Sequence, residues 1–239
     1  MKWLHPGDAR EDSVVFLSVM RKRSIDFHAQ KIGVKWHRAM VACLAFGTTG
    51  IATTANAYVI TITSGTRALY LQVGAGGYSG FYSSGGTPGN NSTINVVSVT
   101  VPVAIVGSGS PQAMTSNSSV AQSPIDGYTF CNPPSQVYIG AWSRPGSGSG
   151  IATLTVTSPS NLTSGSDTIP FSQISWVMSG NGDAVFQFPN GTFTGGTQTL
   201  ATFPANTWKE QCMTFSYANS VIPAAGTYTG RATYTLSLP

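Results

Sequence analysis

The residues that could do chemistry are few in this 239-residue chain, and their spacing does not bring them together. Asp167 and Glu210 are carboxylates of the type that cleaves glycosidic bonds, but nothing in the sequence makes them neighbours. Asp183 follows Asn181 and Gly182 and offers an oxygen ligand, yet one carboxylate makes a poor calcium site and Asn-Gly is typical of a tight turn. We therefore predict no catalytic residue, no metal site and no cofactor. A carboxylate-dependent glycosidase is kept only as a minor alternative.

Histidine is confined to the first part of the chain, at His5, His28 and His37. The segment 58–239 therefore lacks the side chain that most often acts as a general base, activates a serine or cysteine nucleophile, or binds a transition metal. This distribution argues against most hydrolase mechanisms.

The start of the chain has the pattern of a secretory leader. Lys31, Lys35 and Arg38 precede an apolar stretch at 40–51, and Ala55-Asn56-Ala57 supplies an A-x-A cleavage site. We predict a leader over residues 1–57, cleaved after Ala57. The apolar stretch is too short for a membrane anchor, and we expect no membrane span.

Residues 1–39 are long for the region before a signal core. Met20 is followed at once by three basic residues and is an alternative translation start.

The leader also carries the whole net charge of +4. The segment 58–239 is formally neutral, with four basic residues (Arg67, Arg144, Lys209 and Arg231) and four acidic ones (Asp126, Asp167, Asp183 and Glu210). Because nucleic-acid binding needs clustered positive charge, we expect no nucleic-acid partner.

The three cysteines divide in the same way. Cys43 lies in the apolar core of the predicted signal, which leaves Cys131 and Cys212 as an even pair. In an oxidising compartment these two residues are expected to form a disulfide. The alternative is a pair of free thiols.

Short runs rich in Val, Ile, Thr, Tyr and Phe alternate with clusters of Gly, Ser, Asn and Pro, a pattern typical of an all-β protein. The predicted strands are Tyr58–Ser64, Thr66–Val73, Thr93–Ile105, Gly127–Phe130, Gln136–Trp142, Ile151–Thr157, Ile169–Met178, Ala184–Phe188, Thr197–Phe203, Gln211–Tyr217 and Gly226–Leu238. We predict one domain over residues 58–239, with an N-terminal extension at 58–73. The order Cys131, Trp142, Cys212 is that of immunoglobulin domains and favours an immunoglobulin-like antiparallel β-sandwich over a closed barrel.

The C-terminal segment has the clearest pattern in the chain. It alternates between two faces, as a strand with one buried side does. The face predicted to be buried comprises Tyr228, Gly230, Ala232, Tyr234, Leu236 and Leu238.

Residues 224–236, read as A-A-G-T-Y-T-G-R-A-T-Y-T-L, resemble the ending of bacterial fimbrial subunits of the chaperone-usher class, especially the spore-coat-U-like branch. Gly226 is fourteenth from the end, where typical pilins have a glycine in a chaperone-recognition motif. The sequence differs from those proteins at Leu238, which replaces a usual tyrosine, and at Cys131, which falls later than the usual first cysteine.

The resemblance implies an assembly mechanism and a location. The fold of such subunits lacks a strand, and the N-terminal extension of a neighbouring subunit fills the open groove by β-augmentation. The implied partners are other copies of this chain or related subunits, with a periplasmic chaperone and an usher. The implied location is the bacterial cell surface or an extracellular fibre, reached by secretion through the periplasm.

A donor strand must be extended, alternating and located at the start of the processed chain. The segment Tyr58–Ser64 meets this description, with Tyr58, Ile60, Ile62 and Ser64 at alternate positions. The other interpretation is that this segment is the first strand of a complete sandwich, and the sequence leaves the two open.

Aromatic residues suggest one more function. A platform for host or surface glycans could be built from Tyr78, Phe81 and Tyr82 together with Trp142, Trp176 and Trp208, although core packing also explains most of them. We thus predict a non-catalytic structural or adhesive protein, a subunit of a fimbria-like fibre. The alternative is a monomeric secreted carbohydrate-binding module or a tip adhesin.

Overall fold

A computed structural model describes residues 9–22, 67–76, 78–79, 87–88, 95–146, 149–180 and 188–239, and it shows the predicted all-β sandwich. The strands are β1 (Ala9–Lys22), β2 (Ala68–Val73), β3 (Tyr78–Ser79), β4 (Thr87–Pro88), β5 (Asn95–Pro102), β6 (Gln112–Ala113), β7 (Thr115–Ser116), β8 (Val137–Arg144), β9 (Ile151–Thr157), β10 (Asn161–Ser164), β11 (Asp167–Pro170), β12 (Ile174–Ser179), β13 (Gly191–Thr192), β14 (Thr197–Pro204), β15 (Trp208–Tyr217) and β16 (Thr227–Leu238). Helical geometry in these residues is limited to two 3-10 turns, Val103–Ile105 and Phe171–Gln173.

The first sheet is organised around β16. One edge of β16 pairs with β9 and β10, which pair in turn with β14 and β11. The other edge pairs with β1, followed by β5 and the short β7. The β1–β5 pairing is parallel, whereas every other pairing between described strands is antiparallel.

The second sheet has the order β13, β12, β15, β8 and β2, with β6 paired to the end of β15. Its strand β8 is buried at all eight positions. A strand in an exposed antiparallel sheet buries every second residue, so β8 must be covered on both faces.

The core lies between the sheets and is formed by the alternate residues that each strand turns inward. From the first sheet these include Leu154, Val156, Leu162 and Ile169, and from the second Ile139. Their small exposed fractions follow from the period of two that predicted the strands.

The sequence located most of these strands. Ile151–Thr157 agrees with the prediction at both ends, and the predicted alternation at the C-terminus is confirmed by β16. Two predictions were wrong. Ile169–Met178 is not one strand, because the 3-10 turn Phe171–Gln173 separates β11 from β12, and Gly127–Phe130 makes only one isolated bridge, between Gln122 and Thr129.

Other predictions lie outside the described residues. These are Tyr58–Ser64, all of Ala184–Phe188 except its last residue, and the segment 31–57 with its cleavage site. Cleavage after Ala57 therefore stays a prediction. Residues 9–22, which the same prediction places in the leader, form β1.

The predicted disulfide is confirmed. Cys131 and Cys212 are bonded, with their Cα atoms 5.6 Å apart, and both are buried. The bond attaches the segment that follows β7 to β15 of the second sheet.

Candidate functional site

β16 forms one wall of the candidate site, the position in the first sheet that β1 occupies. Its inward residues Tyr228, Ala232, Tyr234, Leu236 and Leu238 are each at most 1% exposed. The residues between them are exposed or half-buried. This burial agrees with the sequence prediction, while the proposed assembly role of the strand stays a prediction.

Gly230 is the smallest member of that inward row, and its neighbours require a glycine. A Cβ at this position would lie 2.7 Å from Cε2 of Phe171 and 2.8 Å from Cδ2 of Leu162. Both distances are shorter than real Cβ contacts. The absence of a side chain therefore lets these two core residues pack directly against the β16 backbone.

β1 fills the full length of the open side of β16. The register begins with Ala9 opposite Leu238 and ends with Met20 opposite Thr227. On its other edge β1 is in parallel register with β5, from Val15 opposite Asn95 onward. β1 therefore separates two strands that would otherwise face each other across a gap of one strand.

Three apolar positions of β1 align with the inward rows of both neighbours. Val15 is opposite Ala232, Leu17 is opposite Gly230, and Val19 is opposite Tyr228. The corresponding positions of β5 are Asn95, Val97 and Val99, of which the first two are buried and the third is partly buried against the core.

β5 forms the second wall and is held mainly through Asn95. The Nδ2 of Asn95 donates to the carbonyl oxygen of Val73, and its Oδ1 accepts a hydrogen bond from the backbone N–H of Ala75 at 2.7 Å. Asn95 is 2% exposed, so its bond to Val73 is buried, while the bond to Ala75 is partly buried. This one side chain links the start of β5 to the end of β2 in the opposite sheet.

The far edge of β5 has a shorter contact. It pairs with β7 only at Val97 and Ser98, and Asn117 exchanges hydrogen bonds with Val96 of 2.9 Å and 3.0 Å. β5 is thus attached firmly at its beginning and lightly along its outer edge.

Arg67 lies at the Leu238 end of the groove, the space between β16 and β5 that β1 occupies. Its Nη2 donates to the carbonyl oxygen of Leu238, the last residue of β16. β2 follows directly and crosses to the level of Asn95, so it runs beneath the groove from the Leu238 end toward the Ala232 level.

Two tyrosines of the core next to the groove are held in the neutral form. Burial raises the pKa of Tyr234, whose hydroxyl donates to Sδ of Met213 at 3.7 Å. Burial also raises the pKa of Tyr217, with a smaller contribution from nearby Tyr228. These groups act as apolar packing and offer no acid–base chemistry near neutral pH.

The remaining polar and aromatic residues collect on the outer face of the second sheet. The hydroxyl of Tyr138 donates to Oε2 of Glu210 at 3.0 Å. The rings of Tyr70 and Trp208 stack with centroids 5.1 Å apart, and the Arg144 guanidinium lies 5.6 Å from the Trp142 ring centroid.

Most of this outer cluster is covered. Tyr70, Trp142, Arg144 and Glu210 are all less than 5% exposed, whereas Trp208 is half-buried, so these four residues are not an open surface for sugars. Trp176 lies elsewhere, in the core, where its Nε1 donates to the carbonyl oxygen of Pro189 at 3.0 Å.

The remaining predicted site residues fall in three places. Tyr58, Ile60, Ile62 and Ser64 lie outside the described residues, as do Phe81 and Tyr82. Tyr78 belongs to the short β3, paired with β4. Asp167 is exposed on β11 of the first sheet, whereas Glu210 is buried on β15 of the second.

Sequence reasoning missed two parts of the groove. The run at 14–20, V-V-F-L-S-V-M, is rich in β-branched and apolar residues and indicates a strand. This strand was not predicted because the leader pattern that follows the run placed it in the leader. Asn95 gave no signal, since its function depends on a neighbour in the other sheet.

No family model, curated protein or solved structure matches this chain at a significant level. Among the residues that the structure describes, no group of three or more His, Cys, Asp or Glu side chains is placed to hold a metal ion. The same residues include no helix of the length and hydropathy needed to cross a membrane.

Proposed function

We propose that this protein is a secreted, non-catalytic subunit of a fimbria-like surface fibre, and that its groove between β16 and β5 accepts a strand from another copy. The observation that carries the proposal is the occupation of this groove by β1. A segment distant in sequence completes the sheet on both edges, in parallel with one neighbour. This is the geometry of β-augmentation, in which main-chain hydrogen bonds supply affinity and alternate side chains supply specificity.

The resemblance of residues 224–236 to fimbrial endings supports the same conclusion independently, because that segment contains most of the groove wall β16. A periplasmic chaperone and an usher are the partners this resemblance implies. Secretion to the cell surface follows from the predicted leader and from a disulfide of the kind found in oxidising compartments.

Tyr58–Ser64 is the proposed donor, and chain length favours donation to a neighbour. In the orientation of β1, a donor begins at the Leu238 end of the groove and runs toward Thr227. With residue 58 opposite Leu238, residue 64 would lie opposite Ala232, about 20 Å along the strand.

The domain's own chain is poorly placed to make that connection. The Arg67 side chain is bonded at the Leu238 end, and the three peptide steps from residue 64 to residue 67 span at most about 11 Å, well short of that distance along the strand. For a donor in this orientation we therefore propose that the strand comes from a second copy; the alternative, that the segment completes its own sheet, stays open to the test below.

The test compares two double substitutions in the proposed donor, made in protein exported through its own leader. I60D/I62D places charge at the alternate positions that would enter the groove, whereas T61D/T63D places the same charge on the other face. We expect I60D/I62D to abolish fibres in negative-stain microscopy and large species in size-exclusion chromatography, and T61D/T63D to retain both.

Fibres that persist in I60D/I62D would contradict the proposal. A monomer in the unchanged protein, indifferent to both substitutions, would favour the carbohydrate-binding module instead.

A further inference from the structure

We propose that residues 9–22 act as a built-in cap on the groove, so that the unprocessed chain is closed to assembly and removal of this segment opens it. The cap itself is inferred from β1 alone. Only its effect on assembly depends on the proposed function.

The first argument is that the cap and a donor cannot be bound together. β1 pairs with β16 from Thr227 to Leu238 and with β5 from Asn95 to Pro102. Each strand edge can serve one partner strand, so while β1 is in place neither wall has hydrogen-bonding groups left on the edge that faces the groove.

The second argument concerns how the cap fits. Its positions 15, 17 and 19 are apolar residue types and align with the inward row of β16, at buried Ala232, half-buried Gly230 and buried Tyr228, so this half matches the groove. Toward the other end the match fails, because Ser13 is opposite Tyr234 and Glu11 is opposite Leu236, both of which are buried.

The proposed donor differs from the cap at this weaker end. With Tyr58 opposite Leu238, Ile60 would fall at the level of Glu11 and Ile62 at the level of Ser13. An inward register position favours an apolar residue type such as isoleucine over a charged one such as glutamate, so we expect a donor to suit this half of the groove better than the cap does. The cap is thus a replaceable occupant.

The predicted processing removes the cap completely. Cleavage after Ala57 would separate residues 9–22 from the domain, and translation from Met20 would leave only the last three positions of β1. Either event leaves the walls β16 and β5 free for a strand from another copy.

The experiment uses the full 239-residue chain with its disulfide formed, and compares V15D/L17D with the matched control V14D/F16D. The first pair lies opposite Ala232 and Gly230 on the inward row, the second opposite Thr233 and Arg231 on the outward row. Hydrogen exchange reports whether residues 9–22 are bound, and size-exclusion chromatography reports assembly.

In the unchanged chain and in V14D/F16D we expect the amides of 9–22 to exchange more than about tenfold more slowly than in a free peptide, and both proteins to be monomers. In V15D/L17D we expect that protection to be lost. In the protein exported through its own leader and cleaved after Ala57, where the proposed donor stands at the start of the chain, we expect oligomers. Continued protection of β8 amides shows that the sandwich is still folded. If V15D/L17D unfolds, V19D, opposite buried Tyr228, replaces it, with the same loss of protection expected.

Unprotected amides at 9–22 in the unchanged, folded chain would overturn the cap, as would equal protection in the two variants. Loss of protection in V15D/L17D, together with a cleaved chain that stays monomeric, would support the cap and count against fibre assembly.

Discussion

The two sheets differ in how their middle strands are completed. In the second sheet, β8 lies between β2 and β15, is buried on both faces, and adjoins a strand fixed by a disulfide. In the first sheet, β16 pairs with β9 and β10 on one edge and with β1, from the predicted leader, on the other. The difference teaches that one layer is completed by strands of the predicted domain, whereas the other is completed by a segment from the predicted leader that we propose is replaceable.

The largest expected effect comes from removing the disulfide that stabilises the second sheet. The bond closes 81 residues of chain, and C131S/C212S should lower the free energy of unfolding by about 4 to 5 kcal/mol, because the unfolded chain gains entropy. Guanidinium titration followed by tryptophan fluorescence measures it, with reduced unchanged protein as the control. A loss below about 1 kcal/mol would show that the second sheet does not depend on this bond.

A core substitution in β16 tests the inward row of the first sheet. Leu236 is fully buried, and L236A should cost about 2 to 5 kcal/mol through lost contacts and the cavity left behind. The neighbouring T235A, on the outer row, should change stability by less than about 0.5 kcal/mol. Similar losses for the two variants in urea denaturation would show that the rows of β16 are not distinguished as described.

The link between the sheets is tested at Asn95. N95A removes the hydrogen bonds to Val73 and Ala75 and leaves buried backbone groups without that partner, at a cost of about 1 to 3 kcal/mol. We also expect faster amide exchange in β5 and little change in β8. N117A, at an exposed site on the other edge of β5, is the control, and an equal effect there would contradict the assigned role of Asn95.

The smallest effect is a loss of stability in alkaline solution. The pKa of Tyr234 is raised in the folded protein, so the unfolded chain releases this proton first as pH rises above about 10. The stability that neutral Tyr234 contributes is present below that pH and is lost above it, by about 1.4 kcal/mol at about pH 11.

Y234F should flatten this part of the pH dependence while leaving the fold unchanged. The measurement is urea unfolding of both proteins at several pH values from neutral upward. Parallel curves for the two proteins would contradict the burial of this hydroxyl.

Local patterns predicted the strands but could not predict how they pair. The alternation in 227–238 gave β16 its limits and its buried face, and the even number of cysteines gave the Cys131–Cys212 bond. The strand Asn161–Ser164 was missed because Leu162 is its only apolar residue, too little to establish a period.

Pro170 marks the break between β11 and β12 and was an available local signal, because proline disfavours continued strand pairing.

The groove could not be predicted from local patterns, because the strands that form it are distant in sequence. The position of residues 9–22 beside β16 had no such signal, because strand partners distant in sequence are selected by the surface they complete.

Because β8 is covered on both faces, the hydrogen-exchange rate of its amides can serve as an internal reference. Its amides lie beneath side chains on both sides along the whole strand, so their exchange requires opening of the entire fold and not the departure of one neighbour. Their exchange rate should therefore remain the same whether the opposite sheet contains β1 or a strand from another copy. The β8 exchange rate is therefore a reference against which replacement of a strand in the first sheet can be measured.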